Sequence, residues 1–431
     1  MKSRLTLAGT LILLLPAAVF AEEPASAISS GDTAWMLVST ALVMLMTPGL
    51  AFFYGGMVRS KNVLGTLMHS FVILCVMSLV WVLWGYSLSF GTDMGGFIGG
   101  LDFVGLNDVG PEPAPGAPTV PHLVFMMFQG MFAIITPALI TGAFAERIKF
   151  SALLLFTVLW ATFVYAPVCH WVWGGGWIAK IGALDFAGGT VVHINSAIAA
   201  ITAALVIGKR KGYLEETMMP HNLPMTILGA ALLWFGWFGF NGGSALASNG
   251  LASLAFVNTN TGASAAALGW AAVEWFHRGK PTALGAVSGA VAGLVAITPA
   301  AGFVSPLSAI LIGLGGGMFC YLAVSLKPKI GYDDSLDVLG IHGVGGLWGA
   351  LATGLFASIA INPDGADGLF FGSASLFISQ VVANLGTITY SAVATLIILK
   401  LIDWTVGLRL NAEDEATGLD LSQHGETGYS L

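Results

Sequence analysis

The sequence predicts an all-α polytopic membrane protein with eleven transmembrane helices. Three observations carry that reading. The chain of 431 residues is 56% hydrophobic and only 9% charged, more apolar surface than a water-soluble fold can hide. Its apolar runs are long enough to cross a bilayer, which takes about 20 residues. Its lysines and arginines gather in alternate links between those runs, the pattern expected of cytoplasmic loops.

Taken in order, residues 1–21 read as a signal peptide, with Lys2 and Arg4 at the charged end, an apolar run from Leu5 to Phe20, and a cleavage site at Val19-Phe20-Ala21. An uncleaved first span is the alternative. Either way, the residues after 22 start outside the cytoplasm. Residues 22–407 form one transmembrane domain. Its spans fall at 33–58, 63–90, 121–145, 150–169, 188–208, 222–241, 251–275, 282–299, 302–326, 336–357 and 374–407. The links expected in the cytoplasm hold Arg59 and Lys61, Arg147 and Lys149, Lys209 to Lys211, Arg278 and Lys280, and Lys327 and Lys329; the opposite links hold Lys180 among acids. The mature N-terminus is therefore expected outside, and the polar tail at 408–431 inside.

A weak internal repeat is visible. The first span ends Phe53-Tyr54-Gly55-Gly56, and the sixth ends Gly239-Phe240-Asn241-Gly242-Gly243. The fifth and tenth each carry a histidine among small residues. Five spans followed by five must have opposite topology, and inverted repeats commonly put the substrate path at their interface. The eleventh span has no counterpart and is expected to brace the outside.

The net charge is −7 and the three cysteines, Cys75, Cys169 and Cys320, lie in apolar segments. They give neither a disulfide framework nor metal spacing, and nothing points to nucleic acid. No nucleophile–base pair suggests an enzyme, and no cofactor is expected. The polar residues inside the spans are the informative ones, because charge there is costly and such groups face a cavity or a partner. His193 and His342 either pack or line a path; a metal site is disfavoured, since no further ligand joins them at the right spacing. Asp337 precedes His342 much as Asp185 precedes His193. Asp185 reads as a helix cap, which meets free N–H groups, or as a cation ligand. Trp173, beside Gly174-Gly175-Gly176, is an interface anchor or a ring face for a cation. Phe128 and Phe132 share one helix face, as core or as a hydrophobic gate. Phe240 and Ser244 are also four apart.

From about residue 32 to 431 the chain resembles the ammonium transporter family, which includes the Rhesus proteins. The carrying segments are Phe53-Tyr54-Gly55-Gly56, Ala145-Glu146-Arg147, Asp185 to His193, Trp237 to Ser244, and Gly340-Ile341-His342-Gly343-Val344-Gly345. The tail from Gly418 to Glu426 is similar to that of bacterial members. The resemblance does not extend clearly to the long 91–120 link. It implies a homotrimer of eleven-span subunits in the bacterial inner membrane, one pore in each. It implies an outer ammonium site at Trp173, Phe132 and Ser244, supported by Asp185. Phe132 and Phe240 become a stacked gate with Phe128 nearby, and His193 and His342 a hydrogen-bonded pair in the pore. Ammonium, or methylammonium as its analogue, is the implied substrate, with lipid around the spans. The tail suggests docking of a PII-type nitrogen regulatory protein at the cytoplasmic face. Two other readings remain: a Rhesus-type channel for neutral gas, and an ammonium sensor acting through a cytoplasmic partner.

Overall fold

The structure is a computed structural model and describes residues 28–430. The expected signal peptide lies outside the described residues. Within them, helices run in the order α1 (Ser30–Met57), α2 (Ser60–Phe90), α3 (His122–Ala143), α4 (Phe150–Lys180), α5 (Gly189–Ile207), α6 (Leu223–Gly243), α7 (Gly250–Arg278), α8 (Ala283–Ile297), α9 (Pro306–Ile330), α10 (Leu339–Phe356) and α11 (Ala374–Thr405). Several starts obey the capping rule, in which a side-chain oxygen takes up an otherwise free N–H. Ser29 accepts from Asp32, Asn222 from Met225, Asn249 from Leu251 and Ala252, and Ser305 from Ser308.

Nine of these helices, among the described residues, are long and apolar enough to cross a membrane. The seventh and eighth expected spans are present as helices but fall short of that measure. Polar Asn258, Thr259, Asn260 and Thr261 interrupt the apolar run of the 29-residue α7. Helix α8 has 15 residues, about 22 Å at 1.5 Å per residue, and gives way to a turn at Thr298-Pro299. Four helices contain a π-helical stretch: Trp81–Gly85 in α2, Ala161–Tyr165 in α4, Gly189–Ile194 at the start of α5 and Leu339–Gly343 at the start of α10. Such stretches are frequent at functional sites, and the last two hold His193 and His342.

The first and sixth spans, paired in the sequence repeat, pack along each other. A Cβ at Gly229 would collide with the backbone of Phe53, so a small residue there permits the close approach. Polar side chains of α11 reach inward. Gln380 donates to Leu184 and Ala350 carbonyls, Thr190 donates to Asn384, and Ser391 donates to the Asn195 carbonyl. The eleventh helix thus braces α5 and α10 from outside. The 91–120 link forms two small antiparallel pairs, β1 (Asp93–Met94) with β2 (Ile98–Gly99), and β3 (Pro113–Ala114) with β4 (Ala117–Pro121). Asp93 ties it to α4 through His170 at 3.0 Å and Lys180 at 2.6 Å.

At the opposite end, charged residues are buried and paired, as buried charges must be. Glu146 accepts from Arg59, Asn62 and Arg210, and Asp333 accepts from Arg210. Burial works against the Glu146 carboxylate, but Arg210 and Arg59 outweigh it and hold its pKa below the ordinary value. The tail forms two short helices, α12 (Ala412–Thr417) and α13 (Leu419–His424), strapped over this network. Glu415 accepts from Lys211 N and Arg409, and Asp420 accepts from Gly65 N.

Candidate functional site

The chain before α5 sets the site. Gly188 adopts φ +118°, a conformation that favours glycine, and turns the backbone so that four amides face one carboxylate. Asp185 Oδ1 accepts from Gly188 N at 2.8 Å and Gly189 N at 2.6 Å; Oδ2 accepts from Thr190 N at 2.8 Å and Val191 N at 3.1 Å. Of the two readings of Asp185, this geometry favours the cap, since its lone pairs are occupied by backbone. Its carbonyl also accepts from Trp173 Nε1 at 2.9 Å, which fixes the indole beside it.

That indole lines a pocket of about 310 Å³ (the space open to the centre of a water-sized sphere) together with Phe132, Asp185, Ser244 and Gln129. The four expected outer residues are therefore brought together. Ser244 donates to the Phe240 carbonyl at 2.8 Å, leaving the hydroxyl oxygen's lone pairs for an incoming donor. Phe132 meets Trp173 edge-on at 5.5 Å and Phe240 at 4.4 Å. Phe128 packs behind Phe132 at 5.1 Å and supports it. Phe132 lines the outer pocket and Phe240 lines an inner cavity, so the touching rings separate the two.

The inner cavity is narrow, about 10 Å³ by the same measure, and is lined by apolar side chains with His193 and His342. That is about the least that lodges one water. Helical rise alone left the histidines short of contact; the meeting of the α5 and α10 turns brings Nδ1 of each to 3.2 Å from the other. One ring must donate through Nδ1 and the other accept, so the pair shares one proton at that contact. The rings are 23° from parallel, and His193 also stacks on Trp237 at 5.5 Å. His193 Nε2 has no partner among the described residues. It is a polar atom for whatever enters.

Three residues at the site escaped the sequence reading. Trp237 was legible only as part of a segment; its stacking on His193 needed the fold. Gln129 is 8% exposed with Oε1 unpartnered, a lone polar residue between two phenylalanines. Asp334, rather than Asp337, corresponds to Asp185, because each stands eight residues before its histidine. Asp334 Oδ2 accepts from Leu339 N at 2.7 Å. Asp337 instead pairs with Lys327 at 2.5 Å. Equal spacing was the available signal. Among the described residues no cluster of three or more His, Cys, Asp or Glu is arranged to hold a metal ion.

Comparison with known proteins agrees with this geometry. The sequence model of the Ammonium Transporter Family matches residues 34–429. The chain is 57% identical to the ammonium transporter of Bacillus subtilis, over 93% of this chain and 98% of that one. It is 53% identical to ammonium transporter Amt1 of Archaeoglobus fulgidus, over 93% of this chain and all of that one. The crystal structure of Saccharomyces cerevisiae Mep2 superposes with a TM-score of 0.85 at 36% identity, covering 90% of this chain and 91% of that one.

Proposed function

The chain belongs to the Ammonium Transporter Family, and from that premise we propose that it takes up ammonium at the outer pocket and conducts it inward as ammonia. As a multi-pass membrane protein of that family it is a transport protein and not an enzyme. Trp173 and Phe132 offer ring faces to the cation, Ser244 offers an oxygen, and Asp185 holds the mouth in shape. Phe132 and Phe240 close the way inward. Below them the cavity is apolar, and a bare ion pays heavily to enter. Ammonium escapes that cost by leaving its proton behind, which potassium cannot do. His193 and His342 then give the neutral molecule its polar contacts and relay the proton.

The single observation that carries the proposal is the histidine contact lying directly below two touching phenyl rings. A neutral gas channel would have less use for the acceptors of the outer pocket. The test is ammonium-driven current and potassium leak in liposomes for His193→Ala, His342→Ala and the double variant. Current should fall, or potassium leak should rise where water fills the space. Unchanged current and selectivity in the double variant would leave the histidines as packing. Absence of any current or methylammonium uptake in the intact protein would favour the sensor.

The remaining architecture belongs to the same proposal. Eleven crossings, with α7 and α8 among them, put the mature N-terminus outside and the tail inside. Three copies assemble as a homotrimer in the bacterial inner membrane. A PII-type protein docks on the inner face against the tail, which is supported by the way Glu415 fastens the tail to the loop at Lys211 and Asp420 fastens it to the start of α2. Deleting residues 412–431 should weaken that docking; unchanged binding and inhibition would remove the tail from it.

A further inference from the structure

The inner ends of α5, α9 and α10 leave a crevice of about 760 Å³, measured as before, that the transport site does not use. Its walls are apolar: Ile201 and Leu205 from α5, Leu326 and Ile330 from α9, Leu339 and Val344 from α10. Leu205 and Ile330 are 65% and 71% exposed, so the crevice opens sideways from the helix bundle. At its mouth stand Lys209, Gly331 and Asp333.

The charges at that mouth are not equivalent. The Asp333 carboxylate is taken up by three bonds from the Arg210 guanidinium, with Arg147 close by. It has little left with which to repel an anion. The Lys209 ammonium is exposed and has no hydrogen bond or ion pair among the described residues; it lies 5.8 Å from the centre of the Tyr213 ring. Lys329, one residue before Ile330 on α9, is exposed and unpaired as well. A basic pocket between membrane helices at the cytoplasmic side suits an anionic headgroup above and a hydrocarbon chain below.

We propose that this crevice binds one anionic phospholipid of the inner leaflet, its acyl chain between α5, α9 and α10 and its phosphate at Lys209. The inference rests on the membrane reading given above but not on the transport mechanism. The crevice wall includes Leu339 and Gly340, part of the π-helical turn that carries His342. An occupant therefore braces that turn from the lipid side.

The test is native mass spectrometry of the full-length protein in detergent, titrated with phosphatidylglycerol or phosphatidylcholine of matched chains. Wild type should hold one phosphatidylglycerol per chain more tightly than phosphatidylcholine. Lys209→Glu should weaken that lipid about five-fold or more and leave phosphatidylcholine unchanged, while Lys209→Arg should behave as wild type. Ala323→Trp, at the crevice wall, should lose both lipids there, with melting temperature reporting that the fold is intact. Equal phosphatidylglycerol affinity in wild type and Lys209→Glu would overturn the site. So would dissociation of the oligomer by Ala323→Trp, which would make the crevice an interface between copies of the chain. Binding is read without transport, so failure here and failure of the transport proposal are distinguishable.

Discussion

Asp185 and Asp334 stand the same eight residues ahead of His193 and His342, each before a π-helical turn, yet the two are held in opposite ways. Asp185 is saturated by four backbone amides. Asp334 is fully buried, accepts one amide from Leu339, and has its other oxygen unpartnered. Burial pushes its pKa up to about 6, against the pull of Lys327. Burial pushes the Asp185 carboxyl up as well, but there the four amides pull it back. The same chain pattern therefore yields an acid held by backbone on both oxygens at one turn and an acid with one oxygen left unpartnered at the other. The difference comes from the loop geometry. Gly188 folds the outer loop so that its amides converge, whereas the inner loop spends Asp337 on Lys327.

The sharpest way to break this contrast is to delete each carboxylate. Asp185→Ala strands four amides, and should cost about 4 kcal/mol or more where they stay dry. It should also abolish transport, because the start of α5 and the Trp173 anchor go with it. Asp334→Ala should cost far less. Thermal melting of both variants checks this, and equal losses would mean that the two acids do the same job.

A second test uses pH. With its pKa raised from 3.8 to about 6, folded Asp334 holds a proton that the unfolded chain releases. Its favourable contribution is full at low pH and is lost as pH rises from 3.8 to about 6, leaving a constant cost above that. Asp334→Asn removes the cost, so the variant should melt higher than wild type at pH 7.5, by at most about 3 kcal/mol. The gap should close near pH 4. Asp185→Asn should melt lower than wild type at pH 7.5. A variant at Asp334 that is destabilised equally at both pH values would refute the titratable reading.

The smallest effects belong to the outer pocket. Trp173→Leu and Ser244→Ala each remove a contact worth about 1 kcal/mol, and should weaken ammonium selection over competing cations several-fold while melting is unchanged. Gln129→Leu separates function from packing. It replaces an unpartnered buried oxygen with an apolar group, so stability should hold or rise while selection falls. Potassium competition in uptake of methylammonium reads all three. Identical competition in wild type and variants would remove the pocket from the mechanism.

The sequence by itself determined the class of the protein, because apolar run length and the placement of lysine and arginine answer directly to a bilayer. Among the described residues nine helices meet that measure, and the apolar pattern also located α7 and α8. It also marked residues that the fold brings together at the candidate site, since polar groups within apolar spans stand out. What it could not decide was contact. Linear rise put His193 and His342 at separate depths, and only the meeting of two turns on different helices joined them. Where the four amides beside Asp185 point, which favours the cap reading, was likewise a matter of loop geometry. Asp337 drew the eye as the nearest acid to His342, but which acid faces an amide depends on the loop path, and the fold chose Asp334. Spacing along a chain fixes which face a residue occupies; partners from distant segments are fixed by packing alone.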